Sequence, residues 1–161
     1  KDVSTLDGAG EDKNDLLCFL KSGRVAVRGV LSSRSSAMFD LDDDGDLDLV
    51  VADFNGPPMV LINNLTAKKS IHFLKVKLVG TTSNRDGLGA VVRVKAGGKT
   101  WTQVHDGKSG YLSQSSMPLY FGLGEATRVE SIEIAWPSGT RQTVTADLGL
   151  NRQMEIQEQK N

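Results

Sequence analysis

Apolar and polar residues alternate with a period of two through the second half of the chain. In the segment 72–79, Leu74, Val76 and Leu78 share one face while Lys75 and Lys77 share the other, which is the spacing of a half-buried strand. The alternation returns in the segments 92–95, 100–105, 132–136, 140–145 and 154–156. Because no segment there keeps a helical period over three turns, the pattern predicts an all-β fold. A β-sandwich is the natural way to bury one face of every strand.

Shorter strands are predicted in the first half. Residues 1–15 are polar and show no period, so we expect either a loose lead-in or the frayed end of an earlier element there. The segments 16–20 and 24–28 are typical of a hairpin, and the segments 37–39, 47–51 and 59–62 of a small antiparallel sheet. The polar stretch 63–70 is a predicted linker. We therefore predict two domains, a β unit over 1–64 and a β-sandwich over 71–161.

Charge and hydropathy argue against two classes of function. The 161 residues carry a net charge of -1, which provides no basic field for general nucleic-acid binding. No apolar run approaches the roughly 20 residues of a membrane-spanning helix, so membrane insertion is not expected. The charge is uneven, since residues 1–64 hold 12 Asp and Glu against 6 Lys and Arg. Function is therefore sought first in the acidic part.

The Asp-rich segment 40–48 is the strongest candidate for a site. Positions 1, 3, 5 and 9 of this loop are carboxylates, namely Asp40, Asp42, Asp44 and Asp48. Gly45 at position 6 allows a sharp turn, and Asp46 at position 7 offers a backbone carbonyl. Ca²⁺ takes six to eight oxygen ligands, and carboxylates this crowded repel one another without a cation. The spacing predicts a calcium site with Asp43 and the Asp46 side chain facing solvent, and with order that depends on the metal.

Other interpretations of this loop fit less well. An EF-hand needs a Glu at position 12 and flanking helices, whereas position 12 here is Val51 and the flanks are strand-like. A site for Mg²⁺-dependent phosphoryl transfer uses fewer protein carboxylates and keeps several waters. A solvated acidic turn is the remaining alternative. Asp53 is either an outer partner of the site or an ordinary turn residue.

The stretch from Ser36 to Ala52 resembles an FG-GAP or VCBS-type repeat, the calcium-bearing blade motif of integrin-like β-propellers. The segments 55–57 and 61–64 are similar to its usual continuation. The resemblance implies that the side-chain ligands are Asp40, Asp42, Asp44 and Asp48, and that Asp46 contributes its carbonyl. Propellers stack several blades, whereas this chain has room for one such motif before the predicted linker.

The second half resembles an ASPIC/UnbV domain over roughly 72–158. Five motifs carry the resemblance in order, at 74–80 (LKVKLVG), 83–90 (SNRDGLGA), 109–115 (SGYLSQS), 119–124 (LYFGLG) and 136–139 (WPSG). This family usually follows FG-GAP repeats at the C-terminus of secreted proteins, including those similar to cartilage acidic protein, and the order here agrees. The resemblance implies an extracellular, non-enzymatic protein whose ligand is poorly defined.

Motifs of the common enzyme classes are missing from the sequence. There is no Gly-x-Ser-x-Gly elbow and no His-Glu-x-x-His, and the triplet 107–109 lacks the earlier Gly of a phosphate loop. His72 and His105 both fall in strand-like segments, where a histidine-based nucleophilic site is not expected. We therefore expect no enzymatic activity.

The combined expectation is a secreted, calcium-binding protein of adhesion or recognition, with a protein or carbohydrate ligand at the cell surface or matrix. One alternative is a structural subunit of a homo-oligomer or fibre that pairs through exposed sheet edges. Another is an accessory C-terminal module of a larger secreted protein. Asn64 begins an N-glycosylation sequon, and the first residue is Lys1 rather than Met. We take the latter as a sign of a processed protein or a piece of a longer one.

Overall fold

The computed structural model describes residues 5–7, 24–26, 33–54, 56–108, 111 and 117–160. Over these residues the chain forms β-strands and no helix, which confirms the all-β prediction. The strands are β1 (Thr5–Asp7), β2 (Arg24–Ala26), β3 (Ser33–Phe39), β4 (Asp48–Asp53), β5 (Met59–Leu61), β6 (His72–Val79), β7 (Val91–Ala96), β8 (Lys99–Val104), β9 (Leu119–Gly124), β10 (Val129–Ala135), β11 (Arg141–Val144) and β12 (Arg152–Gln157). No helix in the described part is long and apolar enough to cross a membrane.

Two sheets make up the second half, which we call the sandwich (β6–β12). One sheet has the order β11-β10-β7-β8, with every neighbouring pair antiparallel. The other has the order β12-β6-β9, in which β9 is antiparallel and β12 is parallel to β6. Six of the seven strands lie where the alternation predicts them, whereas β9 falls outside the predicted segments. The alternation carries no information on pairing direction, so the parallel pair is new information from the structure.

The hydrophobic core lies between these two sheets. All of its buried apolar side chains come from the sandwich: Leu74, Val76, Leu78, Ala90, Val92, Val94, Ala96, Phe121, Leu123, Val129, Ile132, Ile134, Trp136 and Ile156. The Trp136 indole Nε1 donates to the Gln142 Oε1 at 3.0 Å, which satisfies the one polar atom of that ring inside the core. The predicted inward faces of the segments 72–79 and 132–136 are confirmed.

A buried carboxylate fastens β12 to the rest of the sandwich. Glu158 follows β12, is 2% exposed, and accepts hydrogen bonds from the backbone N–H groups of Thr81, Thr82 and Ser83 at 2.7–2.9 Å. The hydroxyls of Ser83 and Ser138 donate to its other oxygen at 2.8 and 2.6 Å. Burial alone would raise the pKa of Glu158, but these hydrogen bonds, led by that of Ser138, lower it to about 2.

The first half contributes a small antiparallel sheet of order β3-β4-β5, as predicted. Phe39 and Asp48 pair across β3 and β4, so the Asp-rich loop joins the two strands at one end of this sheet. A separate pair is formed by β1 and β2. The prediction of a loose lead-in is therefore wrong for Thr5–Asp7, because this segment pairs with Arg24–Ala26. The predicted hairpin partner at 16–20 lies outside the described residues.

Candidate metal centre

The backbone of the Asp-rich loop curls because two of its residues adopt left-handed conformations. Asp43 has a φ of 60° and Gly45 a φ of 93°, and Asp is one of the few side-chain-bearing residues that tolerate this region. A Cβ atom at Gly45 would overlap the Phe73 ring. Position 6 of the loop therefore requires glycine for its backbone angle and also for its packing.

The curl brings three of the five predicted ligand residues together. Asp40, Asp42 and Asp48 each offer a carboxylate oxygen, and these oxygens lie within 4.8 Å of one another. Two unit charges at that separation repel by about 3 kcal/mol at an effective dielectric constant near 20. A cation placed among the three would replace this repulsion by attraction. The group could thus hold a metal ion.

Asp40 has one carboxylate oxygen that is satisfied and one that is not. Its Oδ2 accepts from the Gly45 backbone N–H at 3.0 Å and from the Lys75 Nζ at 2.7 Å. Its side chain is only 2% exposed, and its Oδ1 is buried without a hydrogen-bond partner. An unsatisfied buried acceptor costs about 1–3 kcal/mol, and more when it is charged. A metal ion beside Oδ1 would remove this cost, so the residues present fit a cation.

The other two carboxylates of the group differ in how firmly they are held. Asp48 is buried, and its two oxygens accept from the backbone N–H groups of Leu41 and Asn63, both at 2.8 Å. Each carboxylate oxygen has a second lone pair, so these bonds orient Asp48 and leave it able to bind a cation. Asp42 is exposed and makes no hydrogen bond to another described residue. Its side chain is available to a ligand without loss of any other contact.

Asp44 lies outside the group of three. It is exposed, and its Oδ1 accepts from the Asp46 backbone N–H at 2.8 Å. That bond lowers the pKa of Asp44, but desolvation and repulsion from Asp42, Asp46 and Asp40 outweigh it, and the pKa is raised overall. The negative charges of the neighbouring carboxylates therefore disfavour ionisation of Asp44. Its role as a ligand stays a prediction, as does that of the Asp46 carbonyl.

The side chain of Asp46 points inward rather than to solvent. Its Oδ2 accepts from the backbone N–H and the hydroxyl of Thr66 at 2.7 and 3.0 Å, and the residue is 2% exposed. The prediction of a solvent-facing Asp46 is wrong because Thr66, 20 residues away, supplies two donors. Asn63 and Thr66 belong to the predicted linker 63–70, and both donate hydrogen bonds to carboxylates of the loop. Asp43 is 95% exposed, as predicted.

Comparison with known families was informative for the second half of the chain. The family model described as ASPIC and UnbV matches residues 80–161, about half of the sequence. The chain belongs to the ASPIC and UnbV family. A comparison with curated proteins found no match. The match confirms the ASPIC/UnbV prediction and leaves the Asp-rich loop outside the matched range.

The ASPIC/UnbV domain contacts the loop through its β9 strand, together with β6 of the same sheet. The Tyr120 hydroxyl donates to the Gly45 backbone carbonyl. The Tyr120 and Phe73 rings stack with centroids 5.5 Å apart and planes 11° from parallel, and Phe73 fills the space beside Gly45. Lys75 lies on the same strand as Phe73 and pairs with Asp40. The loop is therefore docked on the sandwich by aromatic packing, a hydrogen bond and an ion pair.

The pKa values of two of these residues reflect the acidic loop. Burial, followed by the charges of Asp46, Asp40 and Asp44, raises the pKa of Tyr120 to about 12, so its hydroxyl stays a donor. Desolvation lowers the pKa of Lys75, but its hydrogen bonds and charge interactions with Asp40 and Asp43 outweigh this effect and raise it. Lys75 is thus held as a cation. Sequence reasoning assigned neither residue to the site, because they are 35 and 75 positions away from Asp40 and Gly45, the loop residues that they contact.

A groove of about 700 Å³ lies between the first sheet and the ASPIC/UnbV domain. Its wall from the first sheet includes Met38, Asp40 and Leu47, and its wall from the sandwich includes Val104 and Tyr120. Met38 is 64% and Val104 56% exposed. Asp40 therefore belongs both to the carboxylate group and to the lining of a partly apolar groove.

Proposed function

We propose that this chain binds Ca²⁺ in the loop 40–48, and that the ion holds the loop in place beside a recognition groove of a non-enzymatic extracellular protein. The observation that carries the proposal is the Asp40 Oδ1, which is buried without a hydrogen-bond partner in a group of three converging carboxylates. The FG-GAP or VCBS-type resemblance of the segment 36–52 supports the same assignment.

Ca²⁺ is favoured over other metals by the chemistry of the donors. The group offers carboxylate oxygens alone, the ligands of hard cations, whereas zinc and copper sites are built on Cys and His. Mg²⁺ demands a small octahedral shell and keeps several waters, while Ca²⁺ accepts six to eight oxygens in flexible geometry. A loop with several converging carboxylates suits the larger ion.

The groove supports a role in recognition. It combines exposed apolar side chains such as Met38 and Val104 with polar ones such as Gln103 and Lys108, the mixture typical of ligand surfaces. Its position beside Asp40 means that metal binding fixes one of its walls. We propose a protein or carbohydrate ligand at the cell surface or matrix as the partner of this surface.

Calcium titration by calorimetry tests the proposal, with two neighbouring substitutions that change charge equally. We expect Asp42→Asn to weaken Ca²⁺ binding by at least about tenfold, since it removes a ligand that has no structural hydrogen bond. Asp43→Asn is the matched control, because its side chain points to solvent and Asn also tolerates a positive φ. It should change affinity by less than about threefold. Equal losses in both variants would indicate diffuse attraction to an acidic surface, and no binding by the wild type would refute the calcium site.

Assembly is a second candidate function, and the first sheet is the observation that favours it. β5 pairs with β4 on one side and with no described strand on the other. Val60 within β5 is 48% exposed, and Ile62 directly after it is 41% exposed. A free edge with apolar neighbours can pair with another chain. Light scattering during the same titration separates the candidates, since assembly predicts growth in particle mass. The family match also supports a role as an accessory module of a larger secreted protein.

A further inference from the structure

Lys75 is a cation that the sandwich places against the acidic loop. Its Nζ lies 2.7 Å from the Asp40 Oδ2 and 3.4 Å from the Asp43 Oδ1, and its side chain is 18% exposed. Among the described residues, no other Lys or Arg forms an ion pair with a carboxylate of the loop 40–48. The Phe73 ring, 5.5 Å below the ammonium, helps to hold it there.

The ammonium binds the carboxylate that also contributes the unsatisfied oxygen. Oδ2 of Asp40 accepts from Lys75, while Oδ1 of the same carboxylate is buried without a partner. Asp40 is also one of the three converging carboxylates. A positive charge one hydrogen bond away from a ligand group offsets part of the repulsion among the carboxylates when no metal is bound. The same charge repels a divalent ion that approaches Oδ1.

Orientation of Asp40 does not depend on Lys75 alone. The Gly45 backbone N–H donates to the same Oδ2 at 3.0 Å, and Asp40 directly follows the last residue of β3. The carboxylate therefore keeps a backbone donor if the ammonium is removed. Removal of Lys75 therefore distinguishes two roles. If its positive charge repels the metal ion, removal strengthens binding. If Lys75 only orients the Asp40 carboxylate for the metal, removal weakens binding.

We propose that Lys75 is a built-in counter-ion that sets the metal affinity of the loop, keeping the metal-free loop docked on the sandwich and weakening the binding of Ca²⁺. This inference rests on the proposed calcium site. It assigns to the sandwich a residue that determines how tightly the acidic loop binds its ion.

The test compares Lys75→Met with Lys77→Met in the full chain. Lys77 lies two residues along β6 on the same face but pairs with Glu155, outside the loop, so it is a matched control for the loss of one charge. By calorimetry we expect Lys75→Met to bind Ca²⁺ at least about fivefold more tightly than the wild type, and Lys77→Met to stay within about twofold. The gain should shrink only partly as salt is raised, because salt screens a pair as buried as Lys75 and Asp40 less than it screens exposed charges.

Hydrogen exchange in the presence of a chelator gives a readout that needs no metal. Lys75→Met should lose amide protection at Leu41, Gly45 and Asn63, the backbone donors to Asp40 and Asp48, whereas Lys77→Met should keep it. Lys75→Gln, which retains a polar end, is the second variant if Lys75→Met fails to fold.

Two outcomes would overturn the inference in distinguishable ways. If the wild type binds Ca²⁺ and both Lys75 variants bind it equally or more weakly, the counter-ion role is overturned. The calcium site is unaffected by that result. Absence of binding by the wild type and by the Lys75 variants overturns the calcium site and the inference together.

Discussion

The first sheet and the sandwich are stabilised by different forces. Every buried apolar side chain of the described core belongs to the sandwich, between Leu74 and Ile156. In the first sheet and its loop, the described residues that are buried are Gly45, Asp46 and Asp48. The sandwich is therefore held by the hydrophobic effect, whereas the first sheet and its loop rely on hydrogen bonds, the ion pairs of Lys75 with Asp40 and Asp43, and packing against the sandwich.

This difference determines how each half responds to a ligand. A core that buries apolar area needs no further partner, but a loop of crowded carboxylates gains stability from any cation that it binds in its folded form. We therefore expect metal to change the order of the first sheet while the sandwich stays as it is. Three substitutions, given from the largest expected effect on global stability to the smallest, test this division.

Phe121→Ala should have the largest effect, because Phe121 is 1% exposed in the middle of the core. Large-to-small substitutions of buried aromatic residues cost about 3–5 kcal/mol. Urea denaturation should show this loss with and without Ca²⁺, since the cavity forms in the apolar core and not in the acidic loop. Phe54→Ala is the control, since Phe54 is 61% exposed, and its effect should stay within about 0.5 kcal/mol. If Ca²⁺ restored the unfolding free energy that Phe121→Ala loses, the division between a metal-independent sandwich and a metal-dependent loop would be contradicted.

Glu158→Gln should destabilise the sandwich less, because Gln keeps the shape and one acceptor. The folded-state pKa of Glu158 is about 2, below the ordinary value of 4.5, so its contribution is complete above pH 4.5 and is lost as pH falls to 2. Urea midpoints should show the variant below the wild type at pH 7 and the gap closing between pH 4.5 and 2. Glu155→Gln, with a side chain 58% exposed, should leave the wild-type profile unchanged. A constant gap at all pH values would count against this assignment.

Gly45→Ala should have the smallest effect on global stability and a clear effect on the loop. An Ala at this φ costs about 1–2 kcal/mol, and its Cβ would also displace the Phe73 ring. We expect faster proteolysis of the segment 33–66 and weaker Ca²⁺ binding, with the main urea transition unmoved. Gly98→Ala carries a similar backbone strain without a steric overlap, but within the sandwich. That control should shift the main transition and leave the loop protected.

Most of the fold could be predicted from local pattern. Alternation with a period of two located six of the seven strands of the sandwich and missed β9. The parallel pairing of β12 with β6 was beyond such reasoning, since direction depends on contacts between residues nearly 80 positions apart. The strand Thr5–Asp7 was missed because a three-residue strand carries too little periodicity.

Within the candidate site, sequence spacing identified the converging group and missed what surrounds it. Positions 1, 3 and 9 of the loop meet because the loop itself curls, which is a local property. The inward turn of Asp46 depends on Thr66, and the docking of the loop depends on Lys75 and Tyr120. On its strand, Lys75 has the pattern of a solvent-facing residue. Only the tertiary arrangement reveals that its face is covered by the acidic loop.

The place of β12 in its sheet has a consequence for the order in which the molecule can be assembled during synthesis. β6 is the central strand of the sheet β12-β6-β9, yet both of its partners follow it in the chain, β12 by nearly 80 residues. Contacts of such high sequence separation make folding slow. On the ribosome, the acidic loop emerges long before the surface on which it docks. It must therefore wait, exposed and charged, until β9 and then β12 have left the exit tunnel and the sheet has closed.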